Sequence, residues 1–195
     1  MALTLNGSSN TIAGLAVGGL PDGIVDTDML AADAVTAPKI GTKSYVSCAL
    51  LIDQKSQDTA GGTFTSGAHR VRDLNTEVFD PDNIVTLSSN EFTLASAGSY
   101  VIQWFAPCYK VESNNSRLRE VTDGTIREGT NSFAHSATQI QVHSEGMARV
   151  TQTGSKTYRI EHKSSATKSD NGFGVASGGI AGYDTYTMVT IWKEA

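Results

Sequence analysis

The chain has 195 residues, of which 39% are hydrophobic and 18% charged, enough apolar material for the core of one ordinary domain plus a tail. Its formal charge of -5 leaves no basic surplus to neutralise phosphates, so nucleic acid is not an expected partner. No run reaches the ~18 apolar residues of a membrane helix, and no positive charge precedes the apolar stretch 12–20, so neither membrane insertion nor a secretory leader is expected and the chain reads as soluble and unprocessed.

Residues 1–42 differ from the rest. They hold no aromatic residue, six of the nineteen glycines, four aspartates (Asp22, Asp26, Asp28, Asp33) and one basic residue, Lys39, and cannot build a core alone. A weak tandem repeat runs through them: 22–31 is followed by 32–41, so that Ile24-Val25 and Met29-Leu30 return as Ala34-Val35 and Lys39-Ile40. Bundled copies of so thin a stripe can cover one another, and Thr27 or Asp28 is placed to cap a short helix through Ala32. A flexible linker accounts for the same composition. We take the segment as an attachment or stalk piece that docks through Ile24, Val25, Met29 and Leu30, and residues 43–195 as the head domain.

From Tyr45 the pattern is of strands and turns. Tyr45–Ile52 is apolar on both alternating sets. Phe92–Ala95 ends at a Ser-Ala-Gly-Ser break, and the strand after it is bulky on both sets: Tyr100, Ile102, Trp104, Ala106 and Cys108 on one, Val101, Phe105, Pro107, Tyr109 and Val111 on the other. A strand apolar on both faces must be covered on both, and in a chain this short the second cover is expected to be another subunit. Asp123-Gly124 between Arg117–Thr122 and Thr125–Glu128 predicts a two-residue hairpin turn. Further strands are predicted at Thr138–His143, Met147–Thr151, Tyr158–His162 and Tyr183–Trp192, the third alternating as a half-exposed strand should. Helical periodicity is absent after position 42, and about ten short strands at these intervals predict an all-β sandwich or jelly roll with the first and last strands beside the central one.

The spacing Leu74, Asp80, Val85, Phe92, Gly98, Tyr100, Ile102, Trp104 resembles the globular heads of complement component one-q and their tumour-necrosis-factor-like relatives, with apolar substitutions at Leu74 and Ile102 where that family carries aromatics. The resemblance spans roughly residues 45–193 and implies a jelly-roll subunit that assembles as a homotrimer, with Tyr100, Ile102, Trp104, Tyr186, Met188 and Trp192 at the interface or in the core. Residues 19–23 and 28–40 are similar to the short linker repeats of bacteriophage tail and head fibres. Head and linker together imply a phage fibre tip on the virion.

Enzymatic chemistry has no motif to stand on: there is no Gly-x-Ser-x-Gly elbow, no His-Glu-x-x-His and no phosphate loop, and His69, His135, His143 and His162 are isolated. No cofactor is expected. Asp80 and Asp82 in Asp-Pro-Asp-Asn could offer oxygens to Ca²⁺, although a turn bonded to its own backbone explains them as well. Cys48 and Cys108 are read as buried free thiols rather than a bridge. Three polar or glycine-rich stretches, 54–62, 112–116 and 164–184, read as loops on a rigid sandwich, where binding residues usually lie. Asn114, Asn115, Asn171, Phe173 and Tyr183 are the expected receptor-facing residues, while the last loop reads equally as a packing cover over the sandwich end. The function so indicated is a trimeric phage fibre whose N-terminal segment docks to other virion proteins and whose head binds a host surface glycan or envelope component. A capsid head fibre or decoration protein without a specific receptor is the alternative.

Overall fold

A computed structural model of the chain describes residues 4–6, 11–13 and 44–195. The chain divides into two units, Met1–Thr42 and Lys43–Ala195. In the first, β1 (Thr4–Asn6) pairs antiparallel with β2 (Thr11–Ala13). Ile24, Val25, Met29 and Leu30, the docking residues expected from the sequence, lie outside the described residues, as does the expected capped helix.

The second unit contains eleven strands: β3 (Tyr45–Ser56), β4 (Arg70–Val71), β5 (Thr76–Phe79), β6 (Val85–Ser88), β7 (Glu91–Leu94), β8 (Gly98–Tyr109), β9 (Glu112–Glu120), β10 (Ile126–Ala134), β11 (Gln141–Gln152), β12 (Lys156–Ser164) and β13 (Tyr183–Glu194). They form a five-stranded sheet in the order β11-β8-β13-β3-β5 and a six-stranded sheet in the order β10-β9-β12-β7-β6, with β4 also on β12. Every pairing is antiparallel. The unit is a jelly-roll sandwich, and the last strand lies between the central and first ones.

The alternation of β8 explains the core. Tyr100, Ile102 and Trp104 are completely buried and meet Phe92, Leu118, Tyr158 and Ile160 from the opposite sheet. Val101, Gln103 and Phe105, on the other set, are half-buried. Tyr100, Ile102 and Trp104 are therefore core residues of their own subunit. Tyr186 is also buried, its hydroxyl donating to Thr59 O at 2.7 Å. Of the six residues expected at an interface or in the core, Met188 and Trp192 remain on the outward face, in register with Phe105 and Val101.

Two local readings of the sequence are corrected. The two short strands expected at 138–143 and 147–151 are one, β11, which runs through Ser-Glu-Gly without a turn. Gly146 lies opposite Trp104, and a Cβ there would overlap the indole, so the glycine makes room for a core side chain. Ser144 is equally committed: its hydroxyl donates to Thr130 O at 2.6 Å and bonds the Ser116 hydroxyl at 2.8 Å. The Asp123-Gly124 hairpin joins β9 to β10, but its turn spans 121–125. Of the pair only Gly124 has positive φ, +75°, which a two-residue type I′ turn would require of both. The Glu120 carboxylate instead accepts the N–H groups of Thr122 and Asp123, holding a wider loop.

Both cysteines are free, but Cys48 is half-buried rather than buried; Cys108 is buried, which pushes its thiol up to about 12. Asp80 caps a turn, its two carboxylate oxygens each accepting a backbone N–H, from Ile84 and Val85, at 2.9 Å. Asp82 accepts the Ser47 hydroxyl at 2.6 Å. No group of three His, Cys, Asp or Glu side chains placed to hold a metal occurs among the described residues.

Candidate recognition groove

The six-stranded sheet carries a groove of about 690 Å³ on its outer face, where β9, β10 and β12 end. Antiparallel register builds it in rows. Asn115 stands between Asn131 and Lys163, and two positions along β9, Ser113 stands opposite Phe133 while its carbonyl accepts the N–H of Ser165 at 2.9 Å. Between these lies the row Ser132-Asn114-Ser164. His69, from the segment leading into β4, completes the lining.

A bulge between Glu128 and Asn131 sets the alignment. The extra residue shifts which side chains of β10 face outward, and such bulges often re-aim residues beside a site. Asn115 secures it by donating from Nδ2 to Gly129 O at 2.8 Å. Phe133 is thereby presented to solvent, 55% exposed, beside the His135 ring.

Beneath the groove, Asn114 is 5% exposed and fully engaged. Its Nδ2 donates to the carbonyls of Glu112 and Ser132, which turns Oδ1 toward His162 Nε2 at 3.0 Å. The imidazole must therefore donate from Nε2, leaving Nδ1 as an acceptor that is buried and has no partner among the described residues. The ring packs against Phe64 with centroids 4.8 Å apart. Burial, and next the charge of Arg72, hold the His162 pKa well below the ordinary value of 6.5.

That arrangement should make the head sensitive to acid. The unfolded chain takes up a proton at His162 near pH 6.5, whereas the folded one resists it, so stability falls as the pH drops below that value. Replacing His162 with Gln, which can still donate to Asn114, should reduce the loss of melting temperature between pH 7 and pH 5. Each kcal/mol recovered corresponds to about 2–4 °C in a domain of this size. An unchanged difference would show that acid acts elsewhere.

One row further from the strand ends, Glu161 is the hub of a charge cluster. Arg117 Nη2 lies 2.6 Å, Arg159 Nη2 2.7 Å and Arg119 Nη1 3.4 Å from its oxygens, and Arg159 also reaches Glu91 at 3.0 Å. Burial alone would raise the Glu161 pKa, but the hydrogen bonds from Arg117 and Arg159 outweigh it and leave it lowered.

The receptor-facing residues expected from the sequence divide. Asn114 and Asn115 belong to the groove, though on strand β9 rather than on a loop, and Asn114 serves as its floor. Phe173 is partly buried in a second core with Phe64, Cys108 and Val111, and the buried guanidinium of Arg72 lies 4.2 Å above its ring while donating to its carbonyl at 3.0 Å. The expected loop 164–184 is zipped to 59–66: Gly61 donates to Gly174 O, Gly62 to Asp170 O, and Phe64 and Lys168 exchange two bonds of 3.0 Å. Buried Asp184 ties both segments by accepting the N–H groups of Thr59 and Ser177. Residues 164–174 are thus a packed cover with Asn171 half-buried in it, whereas the stretch that follows is open to solvent, with Ile180 89% exposed and Tyr183, the first residue of β13, 64% exposed.

Lys163, Phe133, Asn131 and His69 were missed in the sequence, and Ser113 was read only as part of the loop 112–116, because each takes its place through strand register. The density of Asn and Ser at 113–116 and 131–132 was the only local sign.

No family model matches the chain, and no curated protein sequence matches it. Among solved structures, it is similar to the globular domain of zebrafish complement 1qA protein at 13% identity and a TM-score of 0.45, over 75% of this chain and 95% of that one. Murine APRIL is similar at 9% identity and a TM-score of 0.47, over 75% and 98%. The PRD1 vertex protein P5 is similar at 15% identity and a TM-score of 0.48, over 78% and 100%. These are likenesses of architecture, and none supplies a residue role.

Proposed function

We propose that the protein is a trimeric, non-enzymatic component of a phage virion whose N-terminal segment docks to the particle and whose head recognises a saccharide of the host surface through the groove. The observation that carries this reading is the contrast between the two outer faces of the head. On the five-stranded sheet, Phe105 lies between Met188 and Glu145, Val101 between Trp192 and Arg149, and Leu50 beside Phe79. Phe79 is 50% exposed, Met147 61% and Tyr45 46%, with Tyr45 and Trp192 ring centroids 6.2 Å apart. Large apolar side chains exposed across several strands of one sheet face, here interspersed with Glu145 and the Arg149–Glu194 pair, mark an association surface, and copies of the same chain are the cover we assign to it. The other outer face, polar, charged and grooved, is left for recognition. The similarity of residues 19–23 and 28–40 to phage fibre linkers supports the virion location.

Light scattering of the purified chain should give three times 20.6 kDa, with an interface above ~2,000 Å². The labelled trimer should compete with virions for host cells, and competition should survive deletion of residues 1–42. A stable monomer would refute the assembly. A trimer that joins particles but does not compete would favour a decoration protein without a receptor.

A further inference from the structure

The geometry points to an acidic saccharide as the occupant of the groove, with a sugar face laid on Phe133, hydroxyls across the Asn and Ser rows, and a carboxylate or phosphate at Lys163 and His69. The inference rests on the recognition reading above and adds the ligand's charge.

The protein is acidic as a whole, with 20 Asp and Glu against 15 Lys and Arg, yet no carboxylate lines the groove. Lys163 is exposed and enters no ion pair among the described residues. The register that pairs His162 with Arg70 across β12 and β4 carries His69 alongside Lys163. The acids one row further along, Glu128 and Glu161, both stand opposite Arg117, and Glu161 is held by three guanidiniums. Glu161 is thus offset by its arginines, Glu112 beside Ser113 is engaged with the N–H of Ser136, and Lys163 is the cation that lines the groove itself.

The remaining lining suits a polyhydroxylated ring. Asn115 Nδ2 bonds Gly129 O and Asn131 Oδ1, which orients Asn115 Oδ1 and Asn131 Nδ2 as a free acceptor and a free donor in one row. Because Asn114 is clamped from below, the row behind them is rigid, and little ordering is needed on binding. Phe133 supplies an apolar platform for the C–H face of a sugar, and a concave site with few fixed polar groups and one aromatic is typical of small-ligand recognition.

The test is an array on which uronate-, sialate- and phosphate-bearing oligosaccharides each stand beside the neutral parent sugar, probed with the full-length protein. We expect binding to at least one acidic series, about tenfold weaker for its neutral parent, which is the worth of one charge-assisted hydrogen bond. Lys163→Gln should lose about the same factor on the acidic sugar without a change in melting temperature, Lys163→Arg should retain binding, and Phe133→Ala should weaken acidic and neutral sugars alike. Which series binds separates carboxylate from phosphate. Equal binding of acid and parent, or indifference to Lys163→Gln, would overturn the charge assignment and leave saccharide recognition standing. No binding to any array sugar by a protein that still blocks virions on cells would overturn the inference and leave receptor recognition standing, whereas failure to block as well would overturn both.

Discussion

Trp104→Ala is expected to destabilise the head by about 3–5 kcal/mol, the cost of emptying a fully buried aromatic site. The residue is completely buried, and its ring fills the space that Gly146 leaves on the neighbouring strand. Its Nε1 donates to Ser116 Oγ at 2.9 Å, but that hydroxyl keeps its bond to Ser144, so the cavity rather than a stranded polar group dominates the loss. Against a usual total of about 5–15 kcal/mol this leaves the domain near its limit, and melting should fall by roughly 6–20 °C. Trp104→Phe should cost distinctly less. If alanine is tolerated within a few degrees, the indole is not the keystone of the sandwich and the packing described for β8 and β11 is wrong.

The second large effect is expected at Glu161. Exchange for Gln keeps its shape but leaves Arg117, Arg119 and Arg159 facing one another without the carboxylate. Breaking a fully buried pair costs roughly 3–5 kcal/mol. Here the side chains of Arg119 and Arg159 are 35% and 24% exposed and can turn to water, so about 2–3 kcal/mol is the reasoned figure. The pH dependence carries the sign. Because the folded-state pKa is lowered, the stabilisation is present above the ordinary value of 4.5 and is lost as the pH falls through the folded value. Chemical denaturation at pH 7 and pH 4 should therefore show wild type and Glu161→Gln converging in acid. A gap of constant size would mean that the cluster acts through packing and not charge.

The two substitutions also separate the core from the recognition face. Trp104 supports both sheets, so any binding by Trp104→Ala should disappear together with the fold as the temperature passes its lowered melting point. Glu161 lies beside the groove without lining it, so at a temperature where the variant is folded its binding should be altered only through the freed arginines.

What the sequence by itself determined was the set of strands with two-sided or cleanly alternating apolar pattern. Tyr45–Ile52, Tyr100–Cys108, Tyr158–His162 and Tyr183–Trp192 are legible because side-chain alternation is a local property of an extended chain, and once several such strands are present a sandwich is the way to bury them. Which alternating set of β8 faces its own core, and which is left outward, is not a local property. It depends on what the opposite sheet offers, and Leu118, Tyr158 and Ile160 settle it for Tyr100, Ile102 and Trp104. The continuity of β11 through Ser144 and Gly146 escaped for the same reason. Those residues read as a turn until Trp104 and Ser116, from other strands, occupy the space and the hydrogen bonds that a turn would have used. The groove was the least legible part. Its rows join residues far apart in the chain, Asn131 with Asn115 and Lys163, and a single bulge at 129–130 decides which of them share a face. Register is a pairwise property of strands, so only the tertiary structure could bring Phe133, Asn115, Lys163 and His69 together.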